Sequence, residues 1–285
     1  NLNAYKNLAA SSYKVVIEDE YDLQNLSMLM MGMITYNGIN FLNLNYVLGK
    51  DIQCEIAEVY PMGSATKPFT GSFDGQGFAL INVLLNTIDY TTYETYYSPT
   101  EEDLLDYALF PNNAGEIKNL RLIDPIAYQE VITEKILYAA PLVGHNSGSI
   151  ENCSVTSSDS VLVGNIEVGR SFAIENGIIV STMVSKNSGT ISNCFVGTSH
   201  LYFTGTDMGT LNNAYPVIYQ NTGALTNVYF DSEVFIPAVE DYNTEIIEVP
   251  ATADFQDTET FALEFLDNWY LNSSYTQVLL NDTYP

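Results

Sequence analysis

The sequence predicts an all-β chain, a solenoid of parallel strands closed by short helical caps at both ends. Three observations predict it. A motif recurs four times, each copy alternates with the period of a strand around one break, and no copy could bury its apolar face without a neighbour. The copies are NNAGEIKNLRL (112–122), HNSGSIENCSV (145–155), KNSGTISNCFV (186–196) and QNTGALTNVYF (220–230), which align without gaps. They share Asn-x-Gly-x-Ile/Leu-x-Asn, followed by two apolar residues one position apart. Their glycines, Gly115, Gly148, Gly189 and Gly223, follow one another at intervals of 33, 41 and 34 residues. FDGQGFALINVLL (73–85) fits with one extra residue and aligns through Gly77, and TDMGTLNNAYPV (206–217) fits in part through Gly209.

Each repeat position has a physical role. Ile117, Ile150, Ile191 and Leu225 point inward on a first short strand. The next inward residues are Leu120 and Leu122, Cys153 and Val155, Cys194 and Val196, and Val228 and Phe230. A step of three followed by a step of two places a bend at Asn119, Asn152, Asn193 and Asn227, a residue type that tolerates left-handed backbone. The glycine supplies a second bend at low steric cost. Stacked in register, the four bend asparagines are expected to form an amide ladder, each side chain donating to and accepting from its neighbours. Cys153 and Cys194 then become equivalent core positions, read as small buried hydrophobes rather than as a disulfide or metal site.

The ends and insertions follow. Leu23, Leu26 and Met30 recur at helical spacing after Asp22, which is expected to cap the helix. Thr258 is expected to cap a second helix carrying Phe261, Phe265, Leu266 and Trp269. Residues 1–53 and 251–285 are therefore assigned as caps and 54–250 as coils, within one domain spanning 1–285. Two segments leave the pattern, a Tyr-rich acidic stretch at 87–107 and an acidic stretch with two prolines at 231–250. Both are expected to project from one flank, where repeat proteins carry function.

Composition narrows the partners. At 46% hydrophobic and 15% charged, the 285 residues belong to a folded chain. With 35 acidic against 9 basic residues, a net charge of −26, the chain lacks the cations that nucleic acid or an anionic membrane surface demands. No apolar run reaches the roughly 18 residues of a membrane span, so membrane insertion is not expected. No signal-peptide pattern opens the chain, which fits a mature secreted protein, an excised domain or a cytoplasmic protein alike. The three cysteines, Cys54, Cys153 and Cys194, argue against a disulfide framework.

Candidate chemistry is sparse. Tyr93, Tyr96 and Tyr97 offer aromatic faces on which sugar rings could stack. Glu101, Glu102, Asp103 and Asp106 form an acidic cluster, a weak cation site at most, although calcium is compatible with the overall charge. Asp74 reads as a turn residue bonding backbone amides, and Asp124 as a residue after a strand that could face a groove. His145 and His200 have no ligand spacing around them. Arg121 and Arg170, the only arginines, do not form a cationic catalytic element. N-glycosylation sequons occur at Asn25, Asn152, Asn272 and Asn281, of which Asn152 is expected to be buried in the ladder and unmodified.

The repeats resemble the GLUG-type repeat of bacterial surface and adhesin-like proteins, in which G-x-[IL]-x-N-C-x-V marks coils of a right-handed parallel β-helix. FTGSFDGQGFALINVLL (69–85) resembles the stretch that precedes those coils, residues 22–52 resemble the opening helix and strand, and FQDTETFALEFLDNW (255–269) resembles the closing segment. The resemblance implies a non-catalytic extracellular or cell-surface protein. Such a protein would act as an adhesion module, or as a structural subunit that assembles with itself head to tail into a filament. Its partners would be copies of itself or a surface glycan or protein. Carbohydrate binding through the Tyr-rich insertion is the alternative, followed by polysaccharide cleavage, for which no paired-aspartate signature is legible.

Overall fold

The computed structural model describes residues 14–32, 38–55, 57–86, 106–128, 137–156, 165–169, 178–197, 200–204, 214–231 and 245–249. They form parallel β-sheets with one α-helix, and every strand pairing among them is parallel. The strands gather into one 12-stranded sheet, one 5-stranded sheet and two 4-stranded sheets.

One repeat shows how the chain visits them. Phe110–Asn113 lies in a four-stranded sheet, and Glu116–Lys118 and Arg121–Ile123 enter the 12-stranded sheet. Ile126–Tyr128 joins the five-stranded sheet and Leu137–Ala139 the other four-stranded sheet. Val143–Asn146 then returns beside Phe110–Asn113, and the same order of sheets begins again. In the last two repeats the segments on either side of the bend run on as single strands, Thr190–Gly197 and Ala224–Asp231.

Register stacks like on like. Tyr46, Phe73, Ile117, Ile150, Ile191 and Leu225 form one column, and Ile52, Leu80, Leu122, Val155, Val196 and Phe230 another. All are buried except Leu225, which packs against the core while only partly covered. Leu120, Cys153, Cys194 and Val228, one per repeat, are fully buried, as the three-then-two spacing predicts. Parallel strands with burial on the inner face account for this run of branched and aromatic residues. Toward the N-terminal strands the core is built of aromatic rings: Phe110 lies 5.1 Å from Phe69 and 5.5 Å from Phe73, and the hydroxyl of Tyr46 donates to Phe41 O at 2.6 Å.

The bend asparagines adopt the predicted conformation. Asn119, Asn152, Asn193 and Asn227 have φ of 52°, 53°, 51° and 53°, the left-handed region. The glycines have a different reason from the one expected. A Cβ on Gly148 would lie 2.1 Å from the carbonyl oxygen of Gly115, and the same holds for Gly189 over Gly148 and Gly223 over Gly189. The residue is needed because successive repeats touch backbone to backbone there. By this criterion Gly71, whose oxygen a Cβ on Gly115 would meet at 2.1 Å, is the equivalent position in the preceding segment, and not Gly77. Gly77, at φ 82°, belongs to a longer turn between Ser72–Asp74 and Ala79–Ile81.

The helix spans Glu20–Met31, and its N-cap is Asp19 rather than Asp22. Asp19 is extended (φ −151°, ψ 175°), and its Oδ1 accepts from Asp22 N at 2.8 Å. Asp22 sits in the first turn and accepts from Glu18 N at 3.1 Å, a reciprocal arrangement close to a capping box. Leu23, Leu26 and Met30 are buried as predicted. Glu20 Oε2 accepts from the amides of Glu55 and Ala57 at 2.9 and 3.0 Å, which ties the helix to the strands beneath.

Candidate functional site

The repeat builds two asparagine ladders, not one. The expected ladder on the bend residues is interrupted. Asn119 Nδ2 donates to Asp74 Oδ1 at 2.9 Å, Asn152 Nδ2 to Asn119 Oδ1 at 3.1 Å, and Asn227 Nδ2 to Asn193 Oδ1 at 3.0 Å. Between Asn152 and Asn193 the run is broken, and Asn152 Oδ1 has no hydrogen-bond partner. These asparagines are half-buried, so the expectation of a buried Asn152 is corrected: the residue as a whole is half-covered at its left-handed bend, with Nδ2 held by the ladder and Oδ1 shielded from solvent.

The continuous ladder uses the earlier asparagine of the motif. Asn113 Nδ2 donates to Asn146 Oδ1 at 2.8 Å, Asn146 Nδ2 to Asn187 Oδ1 at 2.8 Å, and Asn187 Nδ2 to Asn221 Oδ1 at 2.7 Å. Asn113, Asn146 and Asn187 are at most 2% exposed. Asn113 Oδ1 also accepts from Gly115 N at 3.1 Å, and Asn221 Oδ1 from Gly223 N at 3.2 Å, so the same amide closes the turn into the glycine. The spacing Asn-x-Gly was visible in every copy. The signal that singles it out is that an amide two residues before a glycine can both close a turn and reach the next repeat.

Asp74 is committed to structure. Its Oδ1 accepts from Gln76 N at 2.9 Å as well as from Asn119, and its Oδ2 lies 3.8 Å from Lys14 Nζ. Asp124 is buried at a left-handed corner (φ 50°), its amide donating to Thr156 O at 3.0 Å, rather than facing a groove. His145 contacts Ser188 Oγ at 3.2 Å. Asn25 is exposed on the helix. All three cysteines are free and buried. Cys194 Sγ accepts from Cys153 N at 3.4 Å across neighbouring repeats, and burial, then the Cys153 contact, push its thiol pKa well up. Burial, then Glu20, push Cys54 up to about 12. These are inert core thiols.

Among the described residues no group of three or more His, Cys, Asp or Glu side chains could hold a metal ion. No helix among them is long and apolar enough to cross a membrane. Tyr93, Tyr96, Tyr97, Glu101, Glu102, Asp103, Arg170, Gly209, the helix expected after Thr258, and the sequons at Asn272 and Asn281 lie outside the described residues. Asp106 belongs to the strand Asp106–Tyr107, in register with Tyr138 and Ala139.

A different aromatic cluster stands on the described surface. The rings of Tyr215 and Tyr219 meet at 4.8 Å, those of Tyr138 and Tyr219 at 5.8 Å, and Lys186 Nζ lies 3.6 Å from the centre of the Tyr138 ring. Tyr138, Tyr215, Tyr219 and Lys186 are each half-buried. Tyr219 occupies the repeat position held by Ser185, Gly144 and Pro111 in earlier copies, a substitution that comparison of the copies outside the motif would have exposed. The chain matches no protein-family model, no curated protein and no solved structure.

Proposed function

We propose that the chain is a non-catalytic extracellular surface protein that assembles with itself head to tail. In this reading its coils form a right-handed parallel β-helix of the GLUG type within one domain. The observation that carries it is the pair of unlike edges. Among the described residues, Lys14–Ile17 pairs only with Asn45–Leu48, and Ile247–Val249 pairs only with Tyr229–Asp231. Each carries an exposed branched residue, Val16 at 50% and Ile247 at 44%. Strand edges of this kind recruit further strands. Since every strand pairing among the described residues is parallel, the two ends are not equivalent, and a contact between them repeats without closing. The use of Asp74 in a turn and a ladder supports a structural rather than a catalytic role for the most conspicuous acid.

Light scattering after size exclusion, with negative-stain electron microscopy, tests this across protein and calcium concentrations. Rods that lengthen with concentration, and that shorten in Val16→Lys, are expected. A monodisperse monomer under every condition would refute the reading.

A further inference from the structure

We propose that Tyr138, Tyr215, Tyr219 and Lys186 form a saccharide-binding subsite on the outer face of the coils, a site independent of head-to-tail assembly. The three tyrosines come from two coils that are not adjacent. Register places Tyr138 beside Ile179, and Ser181 beside Tyr215, so the coil carrying Ile179, Ser181 and Ser185 lies between them. Strands two apart in a sheet are about 9.6 Å apart, twice the usual spacing. The Tyr138 and Tyr219 rings nevertheless meet at 5.8 Å, so they lean toward each other over the middle coil.

What lies in that coil points to a polyhydroxylated ligand. Ser185 falls between the register pairs Val184–Ile218 and Lys186–Gln220, which makes it the strand neighbour of Tyr219. Ser181 and Ser185 are both fully buried, and neither hydroxyl has a hydrogen-bond partner. The adjacent Thr182 contrasts with them, its Oγ1 accepting from Val217 N at 2.7 Å. Buried hydroxyls are almost always satisfied, so two exceptions beside one aromatic cluster call for an explanation. A cover of half-buried rings at 30° and 62° to one another presents the tilted faces on which a sugar's C–H groups stack. The phenols, the Lys186 ammonium and, when a ring moves aside, the two serines supply donors and acceptors for its hydroxyls. His145, in register with Lys186, and the exposed Gln220 extend the polar rim.

Saturation-transfer NMR with cellohexaose, chitohexaose, mannohexaose and hexagalacturonate tests the subsite on the full chain. At least one probe is expected to bind. Tyr219→Ala should weaken that binding about tenfold, the scale of an aromatic anchor, while Tyr219→Phe keeps the ring and most of the affinity. Lys186→Gln, a half-exposed position that does not threaten the fold, should weaken it about threefold, the scale of one hydrogen bond. Ser185→Ala should weaken binding while raising the unfolding midpoint of the free protein, a combination that a merely structural serine would not give. No binding of any probe at millimolar concentration, or binding unchanged in Lys186→Gln and Tyr219→Phe/Ser185→Ala, would overturn the proposal.

Discussion

The two asparagine ladders use one residue type for different physical ends. The inner one, through Asn113, Asn146, Asn187 and Asn221, is buried for most of its length and continuous, with amide contacts of 2.8, 2.8 and 2.7 Å. The outer one, through Asn119, Asn152, Asn193 and Asn227, is half-buried, interrupted, and defined by φ near +52°. The inner side chains are present for their amides, which must satisfy one another because water does not reach them. The outer residues are present for their backbone, and their side-chain bonds are secondary. A repeat motif can therefore contain the same residue twice for reasons that share nothing but the letter.

The largest expected effect lies beside the inner ladder. Gly148→Ala puts a methyl against the Gly115 carbonyl, a backbone atom that cannot move without breaking register. A loss of about 4 kcal/mol or failure to fold is expected, read by urea unfolding and soluble yield. Next is Asn146→Ala, which removes two ladder contacts and strands the buried amides of Asn113 and Asn187. About 3 kcal/mol is expected in the same assay. The outer ladder gives less. Asn152→Ala should cost about 1–2 kcal/mol through the left-handed backbone alone, and restoring φ freedom with glycine should recover most of it.

The smallest effect concerns pH and separates the amides, which do not titrate, from the thiols, which do. Cys54 and Cys194 are held protonated by burial, with Cys54 pushed up to about 12. In the unfolded chain a thiol loses its proton near its ordinary pKa of 9.0, so above that pH the unfolded state binds fewer protons and stability falls as pH rises. Thermal unfolding should show a decline beginning near pH 9, amounting to about 1 kcal/mol at pH 10 for each of Cys54 and Cys194. Cys54→Ala/Cys194→Val should flatten that decline. The difference between Asn146 and Asn152 variants should be the same at pH 6 and pH 8.

Much of the fold was legible because parallel stacking repeats a local rule. The three-then-two spacing from Ile150 to Cys153 to Val155 placed all three residues in the core, and a left-handed bend at Asn152 followed from it. The role of Gly148 was not legible, since a close approach between repeats depends on chain 33 residues away and leaves no local trace. The cap shifted from Asp22 to Asp19 because three acids occur within four positions and only the backbone decides which one is extended. The tyrosine cluster was missed for a related reason. Tyr138 and Tyr219 meet only across an intervening strand, and the small residues that admit them, Ser181 and Ser185, belong to that third segment.

The most direct test of the two-ladder account is the same substitution made once in each. Urea unfolding of Asn146→Gly and Asn152→Gly compares a lost buried amide with a retained left-handed bend. The account predicts a loss of about 3–4 kcal/mol at 146 and less than about 1 kcal/mol at 152. Equal losses, or a greater loss at 152, would contradict it.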